Sequence, residues 1–476
     1  MSLESKMQRL VDYQAARTES DARKRINALF DPETFVETDA FAMAGDKPSG
    51  VVTGYGYVEG APVYAFAQDN TADGGAVGRI HAEKIKKLYE MAAKTGAPVV
   101  AIYDSKGARL NEGHDVLAGY GELLAVSNNL SGVVPQVSVV LGTCAGVSAM
   151  LACSADFVVM AKDAEFFLTA PFVAEANGEK VEGAGTAENA MKSGAAHLIC
   201  EDDEEALRET RKLVSMFPIN NLSAVPMFEY EDNESGAQTM LDYMMGAENC
   251  TCKLVKAAAD ADSILVLQKQ FGKGAVTALG TVAGNAVGFV ATKGKKLDAD
   301  SCAKIARFVR TCDAFSLPVI TFVNTAGFEP SAKGELAGSI RESAKLAHAY
   351  AEATCPKIAV INGEAYGPAY IALAGKGANA DVVMAWPSAV ISALAPEASV
   401  EILWNERLAG ADKAKRAELV EEYKDTLASP FEAAKNGYVD FIVSPEETRS
   451  HLISVLDMLS GKRVSKMPKK HGNMPL

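Results

Sequence analysis

Two short runs of small residues, each set between a buried strand and a helix, are the best candidates for chemistry in this chain. The first, residues 142–146 (GTCAG), follows the β-branched stretch 136–141, which is typical of a strand buried in a parallel sheet. Residues 147–155 then predict the first turns of a helix. A helix start presents unpaired N–H groups and a positive dipole end to any ligand over the glycines. The pattern therefore predicts a backbone site for a developing oxyanion.

The second run, residues 363–367 (GEAYG), belongs to a segment that repeats the first one. Pro98 corresponds to Pro318 and Gly146 to Gly367, and the predicted strands and helices around them follow in the same order. Such internal self-similarity predicts two copies of one αβ domain, each with one glycine turn at a helix N-terminus. The repetition favours a function for both turns over a role in packing alone.

The elements that must position these turns are also predicted twice. A hairpin over residues 51–67 has its counterpart over residues 275–291, and each hairpin precedes a helix, over residues 79–95 or 299–315. Residues 1–30 predict helix before the first copy. Each half therefore reads as a hairpin, a helix, a buried strand and a glycine turn.

We place the boundary between the copies where prolines interrupt the chain and periodicity fades, near residues 217–233. The sequence then divides into an N-terminal domain over residues 1–230 and a C-terminal domain over residues 231–476. Both have the size of ordinary globular domains. The expected class is α/β.

The net charge and the composition restrict the classes of partner that the protein can bind. A net charge of −14 argues against nucleic acid or an anionic membrane surface. The first ten residues, MSLESKMQRL, lack the apolar core of a signal peptide, so we expect a cytoplasmic protein. Residues 123–155 carry no charge, but asparagine, proline and glycine interrupt them, which favours a buried strand and helix over a membrane span.

Side chains offer weaker candidates. The eight cysteines form no C-x-x-C pair, so we expect no metal site and a reducing compartment. Cys144 lies in a G-x-C-x-G pattern resembling a nucleophile elbow, with His197 as the nearest downstream histidine, but the pattern is loose and small residues explain it fully. Arg109 follows a buried strand and could either bind a phosphate or hold its loop.

Taken together, longer stretches of the sequence resemble a known family: the carboxyltransferase β-type subunits of biotin-dependent acyl-CoA carboxylases, such as propionyl-CoA carboxylase. The related α subunits of decarboxylase sodium pumps and the transcarboxylase core are similar too. The resemblance covers nearly the whole chain. Its stretches are ARKRINALFDPETFVE (22–37), VYAFAQD (63–69), HAEKI (81–85), GARLNEG (107–113), LAGYGELL (117–124), SGVVPQVSVVLGTCAG (131–146), CDAFSLPVITFVNTAGF (312–328), AEATCPKIAVINGEAYG (351–367), AWPSA (385–389) and KKHGNMPL (469–476).

The resemblance implies a fold, an activity and partners. The fold would be two tandem crotonase-like spirals of ββα units, and members form dimers or hexamers, with each site between the N-half of one subunit and the C-half of another. The activity would be transfer of a carboxyl group between carrier-bound carboxybiotin and the α carbon of a short acyl-CoA, through enolate intermediates held by backbone oxyanion holes. The partners would be a biotin carboxyl carrier protein and either a biotin carboxylase or decarboxylase membrane subunits.

The same resemblance implies the residues of the site. The first turn would hold the thioester oxygen through the N–H groups of Gly146 and Val147, and the second would hold the biotin oxygen through positions 368 and 369. The other residues implied in substrate binding are Gly107, Ala108, Arg109, Gly367 and Ile371.

Three positions depart from the family pattern. Val147 stands where a second glycine is usual, and Lys106 stands where the S-G-G-A-R loop has glycine. Pro368 replaces a glycine of the A-Y-G-G-A turn and has no N–H, so one expected donor is missing and Ala369 remains. At the position of Ile371, family members that act on propionyl groups have an acidic residue, and members that act on acetyl groups have an apolar one. The isoleucine therefore favours a small or unbranched acyl group.

Three alternatives stay open at this stage. The chain could run the chemistry backwards, as the carboxyltransferase subunit of a malonyl-CoA or methylmalonyl-CoA decarboxylase. It could be an enoyl-CoA hydratase or isomerase, which would need a carboxylate near the first turn. It could also be a non-catalytic acyl-CoA-binding assembly subunit, as the proline at position 368 suggests.

Overall fold

The computed structural model describes residues 2–15, 20–378 and 380–475. It consists of two compact units, unit 1 (Met1–Ala190 and Leu198–Ser215) and unit 2 (Met191–His197 and Met216–Leu476). The functional halves expected at 1–230 and 231–476 stay a prediction. None of the helices in the described ranges has the length and apolarity needed to cross a membrane.

Unit 1 contains one eight-stranded sheet in the order β1-β4-β5-β6-β7-β8-β10, with β9 paired to β7. Within this sheet the pairs β1–β4 and β4–β5 are antiparallel and the other pairs are parallel. Strands β2 and β3 form a separate antiparallel pair. The strands are β1 (Val36–Thr38), β2 (Met43–Ala44), β3 (Lys47–Pro48), β4 (Val51–Val58), β5 (Ala61–Gln68), β6 (Val99–Ser105), β7 (Gln136–Ala145), β8 (Phe157–Ala161), β9 (Glu165–Phe167) and β10 (Leu198–Cys200). The helices are α1 (Leu3–Ala15), α2 (Asp21–Leu29), α3 (Arg79–Thr95), α4 (His114–Asn129), α5 (Val147–Ser154), α6 (Pro171–Ala176), α7 (Ala187–Lys192) and α8 (Asp203–Ser215).

Unit 2 repeats the plan with the order β11-β12-β13-β14-β15-β16-β18 and with β17 paired to β15. Its strands are β11 (Leu265–Leu267), β12 (Ala275–Val282), β13 (Asn285–Thr292), β14 (Val319–Thr325), β15 (Lys357–Tyr366), β16 (Val382–Ala385), β17 (Val390–Ser392) and β18 (Phe441–Ile442). Its helices are α9 (Gly236–Met244), α10 (Thr251–Ala258), α11 (Ala299–Ala314), α12 (Ala332–Leu336), α13 (Ser339–Glu352), α14 (Gly367–Ala374), α15 (Pro396–Leu403), α16 (Asn405–Leu408), α17 (Lys413–Asp425), α18 (Pro430–Lys435) and α19 (Thr448–Leu459).

The duplication predicted from the sequence is confirmed by these matching strand orders. Both hairpins turn on a two-residue loop with positive φ, at Glu59 (49°) with Gly60 (75°) and at Ala283 (48°) with Gly284 (78°). Such turns match the twist of antiparallel strands. The helix expected over residues 1–30 is divided into α1 and α2, with residues 16–19 outside the described part.

Each central strand bulges before its glycine turn. In unit 1 Tyr103 pairs with Val140, but Ser105 pairs with Cys144, so β7 carries extra residues opposite the end of β6. The same register shift separates β14 from β15 in unit 2. The strands then continue, because β9 and β17 pair with their last residues. The runs expected as turns, 142–146 and 363–367, are therefore mostly strand, and only Gly146 and Gly367 turn the chain.

Candidate functional site: two backbone turns

The first turn passes from β7 to α5 within a single residue. Gly146 has φ 62° and ψ −127°, a conformation that strongly favours glycine. Its N–H donates to the Phe167 carbonyl at 3.0 Å, which fixes the turn against the end of β9. Of the two donors expected here, the Gly146 N–H is thus already engaged. Val147 opens α5, where the N–H groups have no acceptor within the helix.

A second segment of unit 1 carries a backbone donor beside this turn. Val77 donates to the Gly107 carbonyl at 2.8 Å and accepts from the Arg109 N–H at 2.9 Å, so the loop after β6 pairs with the loop after β5. In a parallel bridge of this kind, the residue between the two that are bonded, here between Gly107 and Arg109, points its own N–H away from the partner segment. That residue is Ala108, and since β6 lies between β5 and β7, its N–H faces the end of β7.

Arg109 belongs to this loop. Its side chain is buried, and its guanidinium lies 3.2 Å from the Asp73 carboxylate and 3.3 Å from that of Glu112. Glu112 in turn accepts from the backbone N–H of Arg79 at 2.5 Å, at the start of α3. Arg109 Nε and Nη2 are buried without a hydrogen-bond partner among the described residues, so the contacts fit both a residue that holds its loop and one that binds a phosphate.

The second turn has the same construction in unit 2. Gly367 has φ 53° and opens α14, with Pro368 in its first turn. Leu297 donates to the Gly327 carbonyl and accepts from the Glu329 N–H, both at 2.9 Å, so the intervening residue is Phe328.

The Phe328 N–H faces the end of β15, because β14 lies between β13 and β15. Among the described residues it has no hydrogen-bond acceptor. A Cβ built on Gly327 would be 4.0 Å from the Tyr366 carbonyl oxygen, so this loop adjoins the second turn. Phe328 was missed in the sequence, although it is the position that corresponds to Ala108 in the repeat.

Ile371 and Tyr366 flank the second turn. Ile371 lies on α14 with 57% of its surface exposed, so it is available to a ligand or a partner. The Tyr366 hydroxyl donates to Glu364 at 2.9 Å. Burial, and after it this carboxylate, raises the pKa of Tyr366. The phenol therefore stays protonated beside the turn at neutral pH.

The nucleophile alternative is not supported by the surroundings of Cys144. Its side chain is fully buried, and burial raises the pKa of the thiol well above its ordinary value. Burial also lowers the pKa of His81 and of His197 to about 3, so both imidazoles are neutral. No group of metal-binding side chains occurs within the described ranges.

Comparisons with known proteins agree with this architecture. The family described as "Carboxyl transferase domain" matches residues 13–474. The methylmalonyl-CoA decarboxylase subunit alpha of Propionigenium modestum is 39% identical over 98% of this chain and 95% of the relative. The propionyl-CoA carboxylase beta chain of Saccharopolyspora erythraea is 38% identical over 98% of this chain and 93% of the relative.

A solved structure matches the whole chain. The transcarboxylase 12S crystal structure, a hexamer assembly with methylmalonyl-coenzyme A and methylmalonic acid bound, is 34% identical with a TM-score of 0.93 and covers 100% of both chains. The expected crotonase-like, duplicated α/β fold is therefore confirmed. The chain belongs to the carboxyl transferase domain family, and the relatives that it resembles include propionyl-CoA carboxylase and methylmalonyl-CoA decarboxylase subunits.

Proposed function

We propose that this chain is the carboxyltransferase subunit that moves a carboxyl group between carrier-bound biotin and the α carbon of a short acyl-CoA. The observation that carries the proposal is the paired backbone construction: each unit sets one N–H donor from a loop beside one glycine turn at a helix start. Removal of the α carboxyl or the α proton of a thioester places negative charge on the thioester oxygen. Preorganised backbone donors stabilise such charge.

On the acyl side we assign the donors to Ala108 and Val147. The Gly146 N–H is engaged by Phe167, so the role of Gly146 is to make the turn. Two converging N–H groups suit the thioester oxygen, because a carbonyl that becomes an enolate gains charge at that atom. Gly107 and Arg109 support this loop through the bridge to Val77.

On the biotin side we assign the donors to Phe328 and Ala369. Pro368 cannot donate, but the Phe328 N–H has no acceptor among the described residues and faces the same turn. We assign to these donors an oxygen acceptor such as the ureido oxygen of biotin, which would lie over Gly367, a residue without a Cβ. Biotin, when bound, would carry the carboxyl group and accept the proton.

The partners we propose are a biotin carboxyl carrier protein and either a biotin carboxylase or decarboxylase membrane subunits. We also propose a homodimer or homohexamer. Apolar side chains near both turns support such an assembly, since Leu168 and Phe172 in unit 1 are 66% and 71% exposed and Ile340 in unit 2 is 71% exposed. Exposed apolar groups of this kind mark surfaces that a partner or a ligand covers.

The direct test is biotin-dependent loss of the carboxyl group from malonyl-CoA and from methylmalonyl-CoA by the purified chain, with free biotin or a biotinylated carrier. Turnover with either substrate supports carboxyl transfer. Acyl-CoA binding without turnover would contradict it and favour the non-catalytic assembly role. The apolar Ile371 leads us to expect faster turnover of malonyl-CoA.

The proposed backbone donors serve carboxylation and decarboxylation alike, because both reactions pass through the same enolate. Hydration of an enoyl-CoA, or a shift of its double bond, by the purified chain without biotin would instead favour the hydratase or isomerase class. We propose the carboxyltransferase role for either direction.

A further inference from the structure

Arg25 contacts β7, the strand that leads into the first glycine turn, although it belongs to α2 near the start of the chain. Its guanidinium is buried and makes three hydrogen bonds within unit 1. Nη1 donates to Asp104 at 2.7 Å, Nε to Asp203 at 2.8 Å and Nη2 to the Leu141 carbonyl at 3.0 Å.

These contacts meet at the bulge of β7. Leu141 and Gly142 are among the residues displaced from the β6–β7 ladder by the register shift. A displaced carbonyl in a buried strand needs another donor, and the Arg25 guanidinium supplies it. Arg25 thus satisfies the backbone group that the bulge would otherwise leave unpaired.

Asp104 completes the support. One carboxylate oxygen binds Arg25, and the other accepts from the Asn70 side chain at 2.7 Å. A Cβ built on Gly142 would be 2.1 Å from that second oxygen, so the carboxylate packs directly on the bulge. The bulge is therefore held at two points: Arg25 binds the Leu141 carbonyl, and the Asp104 carboxylate packs against Gly142.

The second repeat solves the same problem without a charge. Asn324 stands at the position of Asp104, and it accepts from the Glu364 N–H at 3.1 Å. A Cβ on Gly363 would be 2.4 Å from its amide. The ion pair is thus a feature of the acyl-side turn and not a requirement of the fold.

We infer that Arg25, through Asp104 and the Leu141 carbonyl, is a positioning residue that sets the β7 bulge and thereby aims the Val147 donor at the thioester oxygen. This inference rests on the proposed function. Lysine at position 25 keeps the charge but cannot make three directed hydrogen bonds in one plane. A small displacement of a catalytic group is enough to cost about 100-fold in rate.

The test compares Arg25→Lys with Arg211→Lys as a matched control. Arg211 in α8 also binds one carbonyl and two carboxylates of unit 1, those of Leu29, Asp31 and Glu59, but none of β7. Below the Tm of both variants we expect Arg25→Lys to lower kcat for malonyl-CoA by about 10- to 100-fold. We expect Arg211→Lys to lower the Tm and leave kcat unchanged. Equal kcat in the two variants would overturn the inference.

Two further measurements keep it falsifiable. In the double variant Arg25→Lys/Asp104→Asn, kcat should fall by about the same factor as in Arg25→Lys alone, because both changes act through one bulge. An additive loss of kcat would contradict this. If the wild-type protein shows no turnover, the proposed function fails. The positioning role is then judged by hydrogen exchange, which should rise in residues 141–147 in Arg25→Lys and not in Arg211→Lys, whereas equal exchange would overturn it.

Discussion

Single residues determine which backbone donors are available at the two turns. Gly146 makes its turn and gives its own N–H to Phe167, so we assign the acyl-side donor to the next residue, Val147. Pro368 removes a donor from the biotin side, but the Phe328 N–H faces the same turn. The two sites therefore share one design, a loop donor beside a helix-start donor, despite different residues in the turns.

At the residue scale we predict a small effect for Pro368→Gly. The change restores an N–H, but in our proposal Phe328 and Ala369 already supply two donors. We therefore expect kcat with biotin to change by less than about 10-fold, against the 100-fold or more that one essential donor is worth. Steady-state kinetics with the acyl-CoA held saturating measures this. A gain above 100-fold would mean that the missing donor limits the natural protein.

At the scale of elements, the sequence was informative where patterns are local. The hairpins, the helices α3 and α11 and the repeat were predicted because alternation, capping and proline spacing leave marks in the sequence. The β7 bulge was not predicted, since its contacts come from Asp104 and from Arg25 on a helix distant in the sequence. The Phe328 N–H was missed for a different reason, because the direction of a backbone N–H is not marked by any side chain in the sequence.

The bulge also predicts which glycine tolerates a methyl group. Gly142→Ala would place its Cβ 2.1 Å from Asp104 Oδ1, so we expect the free energy of unfolding to fall by about 1–3 kcal/mol. Gly121→Ala in α4 is the control, since a Cβ there meets nothing within 4 Å. We expect it to stabilise the helix by about 0.5–1 kcal/mol. Urea unfolding measures both, and equal stabilities would contradict the role of Asp104 against the bulge.

At the scale of the whole molecule, each compact unit holds one histidine whose imidazole is neutral. In unit 1 the His81 Nδ1–H donates to the Ser49 carbonyl at 3.2 Å, and His197 lies in unit 2. Burial is the main cause that lowers the pKa of each to about 3. The protein thus carries an acid-sensitive group in both halves of the duplication.

These pKa values predict acid sensitivity. The unfolded chain binds a proton at each histidine near pH 6.5 while the folded chain does not until about pH 3, so stability is lost as pH falls below about 6.5. Each group can remove up to about 1.4 kcal/mol per pH unit. Urea unfolding at about pH 7.5 and pH 5 should show the loss, and His81→Gln should reduce it. Equal stability at the two pH values would contradict the buried neutral state.

The central claim is that backbone N–H groups, one of them from Phe328, stabilise the negative charge that develops during carboxyl transfer. The most direct measurement compares Phe328→Pro with Phe328→Ala in biotin-dependent decarboxylation of malonyl-CoA. Both lose the aromatic side chain, but only proline loses the N–H, and no hydrogen bond within the described residues depends on it. We predict a kcat about 100-fold or more lower for proline than for alanine, with an unchanged KM for malonyl-CoA. Equal kcat values for the two folded variants would contradict the account.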